Sequence, residues 1–195
     1  MARSKTDRRE EILSAALECY AELGWNATTI ADIRRRSGAS TGSIYHHFGD
    51  KEGIAAALYL EALERYRHPL RARLNRARTA RSTVRGLVLH HIEWAAENRE
   101  WARYLMEMRG TEAVKRAEAD LRASNRLFLE EVRAHLHRWI DAGDLIELPD
   151  VLYAPVLIGP AADVVRYWLR GRVRQDIQSL AKPLADAAWR ALAKP

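Results

Sequence analysis

The segment Ser37–Gly53, SGASTGSIYHHFGDKEG, concentrates residues of this chain that are able to carry chemistry. Adjacent histidines such as His46 and His47 could bind a metal, but on a helix they point about 100° apart and cannot share one ion. The stretch Gly38–Gly42 fits the G-x-S-x-G pattern of a serine nucleophile, but that pattern requires a strand-to-helix turn. We therefore predict neither a metal site nor a catalytic residue here.

The elements that position these residues are predicted to be helices along the whole chain. Apolar residues recur at spacings of three and four, and the alternation typical of strands is absent, so we expect an all-α fold. The first helix covers about 7–23, a short second helix follows Thr29, and a third covers about 41–47 behind the capping residue Ser40. Thr29 and Asp32 have the spacing of a capping box. Three short helices joined by tight turns are typical of a helix-turn-helix domain.

The rest of the chain is predicted to form longer helical segments. The change from short to long helices places a domain boundary at residue 50, with one domain at 1–50 and a second at 51–195. The long segments are expected at about 51–77, 81–97, 98–110, 112–142, 149–170 and 177–192. Four prolines fall inside them, and each is expected to kink or interrupt its helix: Pro69, Pro155, Pro160 and Pro183.

The third helix has the composition of a helix that enters the major groove of DNA. Its first turn holds the short residues Thr41, Gly42 and Ser43, which would let the backbone approach the bases in a groove about 12 Å wide. Gly42 lowers helix propensity by about 1 kcal/mol relative to alanine, so its presence requires a reason. Ile44 and Phe48 are four residues apart and are expected to face the core. The first turn is therefore predicted to face the bases.

Polar side chains around that helix could hold the DNA backbone. Tyr45, His46 and His47 lie on its other faces, and their hydroxyl and ring N–H groups can donate to phosphate oxygens. Lys51 and Thr29 each lie at the start of a helix, where free N–H groups and the helix dipole attract phosphate. Further phosphate contacts are expected from Arg34, Arg35, Arg36, Arg3 and Lys5.

The stretch NATTIADIRRRSGASTGSIYHHFGDKEGI resembles the DNA-binding signature of the TetR family of bacterial transcriptional regulators. The paired threonines, the Gly-x-Ser-x-Gly pattern, Ile-Tyr-x-His-Phe and Lys-Glu follow the family order, and the resemblance covers about residues 8–60. Arg34-Arg35 and Gly53 depart from the usual residues. The resemblance implies a nine-helix homodimer whose bases are contacted by Thr41, Gly42, Ser43 and residues near Ile30. It implies phosphate contacts from Thr29, Tyr45, His47 and Lys51.

Composition and charge limit the classes of protein that this chain can belong to. Cys19 is the only cysteine, which excludes a disulfide framework and a cysteine-based zinc site. The net charge is +6, but its excess lies mainly in eight arginines between Arg65 and Arg85, a pattern more typical of a solvated helix face than of a DNA site. We find no signal peptide and no membrane-spanning stretch, so we expect a cytoplasmic protein without a membrane partner.

Large apolar residues on the long helices are candidates for an effector pocket. Such residues line ligand cavities, but a stripe of them more often belongs to a filled core. His91 and Asn125 interrupt two apolar stripes, and either a ligand or a protein group could satisfy them. Because no charged residue clearly interrupts these stripes, we favour a hydrophobic or aromatic ligand. The candidate pocket residues are His91, Trp94, Trp101, Tyr104, Leu105, Met108, Asn125 and Phe128.

The last two helical segments are expected to form a homodimer interface. The final segment has one apolar stripe with small residues, suited to close helix packing, and the segment before it is apolar on more than one face. A two-fold axis would also match a palindromic operator. The alternative, in which both segments fill the core of one subunit, stays open. The candidate interface residues are Val164, Val165, Trp168, Ile177, Leu180, Leu184, Ala188 and Leu192.

These observations favour a dimeric DNA-binding transcriptional regulator. We expect a repressor that a small hydrophobic or aromatic ligand releases from a double-stranded DNA operator. The alternative is a DNA-binding regulator with a filled core and no small-molecule ligand, controlled by a protein partner or constitutive. An all-α enzyme is a third possibility, but the chain has no convergent catalytic set. We therefore expect neither enzymatic activity nor a cofactor.

Overall fold

A computed structural model describes the backbone of residues 5–194 and the side chains of residues 7–194. It confirms the all-α fold: the described residues form eleven α-helices and one 3-10 helix, Ile177–Leu180. The α-helices are α1 (Lys5–Leu23), α2 (Ile30–Ser37), α3 (Thr41–Phe48), α4 (Lys51–Arg76), α5 (Ala80–Glu97), α6 (Arg99–Met108), α7 (Glu112–Lys115), α8 (Glu118–Asp141), α9 (Asp150–Leu157), α10 (Gly159–Leu169) and α11 (Ala181–Leu192).

The structure has more helices than the nine predicted because two long segments are each divided. The segment 112–142 forms α7 and α8, and the segment 149–170 forms α9 and α10. The second break lies at Ile158, just before Pro160, which has no N–H to donate to the preceding turn. Pro69 does not interrupt α4, and Pro183 lies in the first turn of α11, where N–H groups have no helical partner.

The described chain forms two compact units. The first comprises the described residues up to Glu64 together with Glu100–Arg122, and it therefore joins α1–α3 with α6 and α7. Tyr104 of α6 is fully buried in its core, where its hydroxyl donates to the carbonyl oxygen of Ala55 at 2.9 Å. Leu23 is 49% exposed at the C-terminal end of α1.

The second unit comprises Arg65–Arg99 together with Ala123 and the described residues after it. Helix α5 lies at its centre and packs against α9, α10 and α11. A feature that the helical prediction missed is an isolated antiparallel bridge between Leu145 and Ala193, in which the N–H of Ile146 donates to Leu192 at 2.9 Å. The predicted boundary between functional domains at residue 50 is not the boundary between these compact units, and it stays a prediction.

Candidate nucleic-acid interface

Helix α3 is delimited by local signals that the sequence provides. The hydroxyl of Ser40 accepts a hydrogen bond from the N–H of Ser43 at 3.1 Å, which caps the helix as predicted. Gly49 ends it with a φ of 76°, and its N–H donates to the carbonyl oxygen of Tyr45 at 2.9 Å. Gly38, which ends α2, has a φ of 65°. Glycine adopts this left-handed conformation without steric cost, so both turns stay short.

The inward face of α3 is held by buried apolar residues. Ile44 of α3 and Ile33 of α2 are fully buried, and Ala39 in the turn between them is also buried. Phe48 is partly buried against the same core. These contacts fix the rotation of α3 about its own axis and so determine which side chains point outward.

The outward face of α3 carries the residues predicted to contact DNA. Thr41, Gly42 and His46 are exposed, and Tyr45 is 49% exposed. Ser43 and His47 keep part of their surface accessible. The structure therefore leaves the predicted residues of α3 available to a partner, which is a requirement for the predicted contacts and not a test of them.

Gly42 has no structural role within the subunit. A Cβ atom built at this position meets no heavy atom within 4 Å, and its φ does not lie in the left-handed region. The fold would therefore accept alanine, which forms helices better. The absence of a side chain at Gly42 is explained if another molecule comes close to the first turn of α3.

Lys51 at the start of α4 is directed toward the loop between α1 and α2. Its Nζ donates to the carbonyl oxygen of Asn26 at 3.3 Å and lies 4.6 Å from the centre of the Trp25 ring. A cation over an indole ring is stabilised by the ring quadrupole. The ammonium of Lys51 is therefore held on the N-terminal side of α2. The sequence analysis missed Trp25 and Asn26 because this contact joins residues that are far apart along the chain.

The capping box at the start of α2 is confirmed, with Asp32 in the position where glutamate is usual. The Thr29 hydroxyl donates to the Asp32 carboxylate at 2.6 Å and accepts from the N–H of Asp32 at 3.2 Å. These hydrogen bonds from Thr29, supported by Arg35, hold the pKa of Asp32 below its usual value. A phosphate bound at Thr29 would therefore lie beside a carboxylate, and the predicted contact stays a prediction.

Two of the three consecutive arginines predicted to contact phosphate are paired within the subunit. Arg35 forms an ion pair with Asp32, and Arg36 donates to both carboxylate oxygens of Glu22. The Arg36 hydrogen bond keeps the pKa of Glu22 low. Arg34 is exposed and forms no ion pair with the described residues. The predicted contacts of Arg3 and Lys5 lie outside the described side chains.

The turn between α3 and α4 contains two close contacts, at Gly53 and at Asp50. A Cβ atom at Gly53 would lie 1.8 Å from the carbonyl oxygen of Phe48, so this position accepts glycine alone without a backbone shift. The Asp50 carboxylate accepts from the N–H of Gly53 at 2.8 Å and from the guanidinium of Arg116. The Arg116 hydrogen bond lowers the pKa of Asp50. These contacts fix the start of α4, where Lys51 lies.

Four of the predicted pocket residues belong to the first unit. Tyr104 and Met108 are buried in its core, with 0% and 2% exposure, and contact α1 and α4 through the same cluster. Trp101 and Leu105 are partly buried and pack against this cluster. All four therefore contribute to the core that supports α1–α3, and their assignment to a pocket stays a prediction.

Trp94 and His91 of α5 lie in the second unit, around Tyr66. The indole N–H of Trp94 donates to the carbonyl oxygen of Arg65 at 3.1 Å. Nδ1 of His91 lies 3.1 Å from the Tyr66 hydroxyl, whereas Nε2 is buried without a hydrogen-bond partner among the described residues. Burial lowers the pKa of His91 to about 4, so its ring is neutral near pH 7.

Asn125 and Phe128 of α8 surround a buried cation that the sequence analysis missed. Asn125 was expected to be buried because it interrupts an apolar stripe, but it is exposed and accepts a hydrogen bond from Arg67. Arg67 is 3% exposed, donates to Ser124 Oγ at 2.6 Å and lies 4.8 Å from the centre of the Phe128 ring. The expectation that no charged residue interrupts the apolar stripes was therefore wrong.

The predicted interface residues divide into two groups. Val165, Ile177, Ala188 and Leu192 are buried within the subunit, with at most 7% exposure, because they face α5 and its neighbours. Their surface is already covered, so they cannot contribute much to an interface. Four others keep accessible surface and still qualify as interface residues: Val164, Trp168, Leu180 and Leu184.

Other candidate chemistry is not supported by the described residues. Among them, no three His, Cys, Asp or Glu side chains are arranged to bind a metal ion. Cys19 is buried in the core of the first unit, and burial raises the pKa of its thiol. No helix within the described part of the chain has the length and apolarity that a membrane span requires.

Comparison of the sequence with known families identifies the DNA-binding segment. Residues 12–58 match the family described as "Bacterial regulatory proteins, tetR family". A similar curated protein is the HTH-type transcriptional repressor AcnR of Corynebacterium glutamicum, which is 45% identical over 56 residues. That match spans 29% of this chain and 30% of AcnR. The residues that match the family lie in the N-terminal region that contains α1–α3 and the start of α4.

Solved structures resemble the whole chain. The fatty acid degradation regulator FadR from Bacillus halodurans superimposes with a TM-score of 0.79 at 23% identity and covers 97% of both chains. FadR from Bacillus subtilis, solved in complex with stearoyl-CoA, has a TM-score of 0.79 at 21% identity and covers 92% of this chain and 96% of its own. At these identities the likeness shows a shared all-α fold. The similar proteins are regulators, not enzymes, as the sequence predicted.

Proposed function

Because residues 12–58 match the family of tetR bacterial regulatory proteins, we propose that this chain belongs to that family and acts as a dimeric repressor that binds double-stranded DNA through α3. The observation that carries this proposal is the outward face of α3, where Gly42 leaves open space that the fold does not require. A helix without a side chain at this point can bring Thr41 and Ser43 within reach of base edges. Residues that hold the helix in place lie on its opposite face.

The phosphate contacts are proposed at the start of α4 and at exposed side chains of α3. Lys51 carries a positive charge at the N-terminus of α4, and its ammonium is held by Trp25 and Asn26. Tyr45 and His46 are exposed on α3, where their donors can reach phosphate oxygens. These contacts neutralise phosphate charge without reading sequence, so they position α3 in the groove.

Dimerisation is proposed through the accessible faces of α10 and α11. Leu180, Leu184, Ala187 and Ala191 recur at spacings of four, three and four, and each keeps accessible surface. Small residues in such a stripe allow two helices to approach closely. The two-fold axis of a dimer would place two copies of α3 one helical turn of DNA apart, about 34–36 Å.

The proposal also includes a small-molecule effector. Bacillus subtilis FadR was solved with stearoyl-CoA, a ligand that combines a long apolar chain with an anionic head. In this chain the second unit contains a buried cation, Arg67, and an unsatisfied nitrogen, Nε2 of His91. We propose a largely apolar ligand with at least one polar group, which extends the purely hydrophobic or aromatic ligand expected from the sequence. The alternative is a regulator with a filled core and no small-molecule ligand.

The DNA-binding proposal is tested by selection from a pool of random duplexes. The full-length protein is expected to enrich a palindromic sequence with half-sites one helical turn apart. Lys51→Ala should then weaken binding to selected and unselected duplexes alike and reduce the salt dependence of the affinity by about one phosphate contact. Lys182→Ala, which removes an exposed lysine of α11, is the matched control and should leave the salt dependence unchanged. Failure to enrich any sequence would contradict the proposal.

The effector proposal is tested separately. Stearoyl-CoA and free stearate are added to the protein bound to its selected duplex, and release of DNA is followed by fluorescence anisotropy. Native mass spectrometry of the purified protein checks for a co-purified small molecule. Release by either probe, or a co-purified apolar compound, supports an effector, whereas neither result supports the regulator with a filled core.

A further inference from the structure

Most of the eight arginines between Arg65 and Arg85 are engaged by partners that are distant in sequence. Arg71 pairs with Glu131 at 2.7 Å, and Arg73 pairs with Glu93 at 2.6 Å. Arg81 and Arg85 both face Asp186, and Arg65 and Arg67 also have partners. Half of the arginines on the face that the sequence indicated to be solvated therefore form ion pairs within the second unit.

Arg76 and Arg78 differ from the rest of this run. Neither forms an ion pair or a hydrogen bond with another of the residues that the structure describes, and both are exposed. They lie at the end of α4 and in the loop to α5, and both line a recess of about 740 Å³. The other lining residues are Asn75, Ala77, Arg138 and Trp139, so the recess has three guanidinium groups and no acidic side chain in its lining.

Arg138 and Trp139 form one side of this recess. Contacts within the subunit hold both side chains in place without neutralising the charge of Arg138. Arg138 donates to the carbonyl oxygen of Ala77 at 3.2 Å, and its guanidinium lies 4.3 Å from the centre of the Trp139 ring. The indole N–H of Trp139 donates to Oγ1 of Thr83 at 2.8 Å, and Thr83 is fully buried. One cation and the aromatic wall are therefore fixed before any ligand arrives, which lowers the entropic cost of binding.

We propose that this recess binds a phosphorylated small molecule. Guanidinium groups match phosphate oxygens with two parallel hydrogen bonds, and three such groups without a counter-charge repel one another until an anion is bound. The volume lies within the usual range of small-molecule sites, about 300–1,000 Å³. A neighbouring recess of about 520 Å³ also contains Arg76, but its lining includes Glu93 and Glu97, which disfavour an anion there.

The site is tested with inorganic pyrophosphate and the full-length protein by isothermal titration calorimetry. The wild-type protein should bind pyrophosphate with an affinity that falls as salt is added. Replacing both free arginines in the double variant Arg76→Gln/Arg78→Gln should weaken binding at least about tenfold, because two charge-assisted contacts are lost. The double variant Arg172→Gln/Arg174→Gln removes the same charge from exposed positions outside the recess and should change the affinity less than about twofold.

Three outcomes would overturn the proposal. An equal loss of affinity in both double variants would mean that pyrophosphate binding depends on net charge alone. If the wild-type protein did not bind pyrophosphate, the proposed site would be refuted. If citrate bound as tightly as pyrophosphate, the proposal that the ligand is phosphorylated would be contradicted. The recess lies within the second unit and uses none of the proposed DNA-contact residues, so failure of this test leaves the DNA-binding proposal unaffected. Because Arg76 and Arg78 are exposed, both variants should unfold at the wild-type temperature.

Discussion

At the scale of single residues, the proposed interface depends on side chains whose partners hold them in a defined position. Lys51 illustrates this, because a free lysine would lose considerable rotamer freedom on binding a phosphate. The Trp25 ring and the Asn26 carbonyl already restrict its ammonium to one region. We therefore propose that Trp25 positions Lys51 for its contact with DNA.

Replacement of Trp25 by leucine should weaken binding to the selected duplex by about two- to fivefold, the equivalent of one exposed cation–π contact of about 0.5–1 kcal/mol. Trp25→Phe keeps an aromatic face and should retain most of the affinity. Fluorescence anisotropy at several salt concentrations measures both variants. The positioning role would be refuted by equal losses for leucine and phenylalanine.

His91 makes a prediction about stability and pH. Its folded pKa of about 4 lies below the ordinary 6.5, so the native protein keeps the ring neutral while the unfolded chain takes up a proton. The resulting stabilisation is complete above about pH 6.5 and is lost as the pH falls toward 4. Between pH 7 and pH 5 the loss should be on the order of 2 kcal/mol.

The matched variant is His91→Gln, which cannot take up a proton in this range but can still bond to the Tyr66 hydroxyl. Urea unfolding at pH 7 and pH 5 should show a smaller decrease in the free energy of unfolding for this variant than for the wild type. Identical decreases would mean that His91 does not titrate as its burial indicates.

At the scale of elements, the turn between α3 and α4 is held by close contacts. Gly53 places the start of α4 against the carbonyl oxygen of Phe48, and Asp50 connects that start to Arg116. Gly53→Ala should therefore destabilise the protein by about 1–3 kcal/mol, the usual cost of forcing an atom into a filled site. Gly42→Ala is the control in the same unit, because its Cβ enters open space. Thermal unfolding compares the two, and equal stability would contradict this description of the turn.

The elements also show which features the sequence could predict. The caps Ser40 and Thr29 and the stop at Gly38 are local signals, and the structure confirms the caps at Ser40 and Thr29 and a left-handed glycine at Gly38. The rotation of α3 followed from Ile44 and Phe48, because helical spacing determines which residues share a face. The number of helices was harder to predict from the sequence, because Pro69 is tolerated inside α4 whereas Pro160 accompanies a break.

Contacts between distant residues could not be predicted from one sequence. The Lys51–Trp25 contact, the buried guanidinium of Arg67 and the recess at Arg76 depend on how helices pack. Burial was also assigned wrongly for Asn125, because the periodic pattern of α8 does not reveal which neighbour covers each face. Arg67 and the recess at Arg76 carry most of the specific chemistry proposed for the second unit.

At the scale of the whole molecule, the proposed function requires two copies of the chain. One α3 covers only one half-site, and the apolar stripe on α11 that contains Leu184 is the candidate for the contact between subunits. Leu184→Glu should convert the dimer into a monomer of 22.3 kDa, because a buried unpaired carboxylate is costly. Leu127→Glu on α8, where the leucine is 58% exposed, should leave the dimer intact.

Analytical ultracentrifugation measures both variants at the same concentration. The monomeric variant should also bind the selected duplex far more weakly, since it loses the second half-site. A wild-type protein that sediments as a monomer, or dissociation caused equally by both substitutions, would remove this assignment of the interface.

The central claim is that the first turn of α3 presses against the bases, and Gly42→Ala tests it most directly. Within the subunit the substitution fills open space and improves helix propensity, so thermal stability should stay equal or rise by up to about 1 kcal/mol. Affinity for the selected duplex, measured by fluorescence anisotropy, should nevertheless fall at least about tenfold, because the added methyl group holds the backbone away from the groove. A more stable protein with weaker DNA binding is the predicted result. Unchanged or tighter DNA binding by Gly42→Ala would contradict the account.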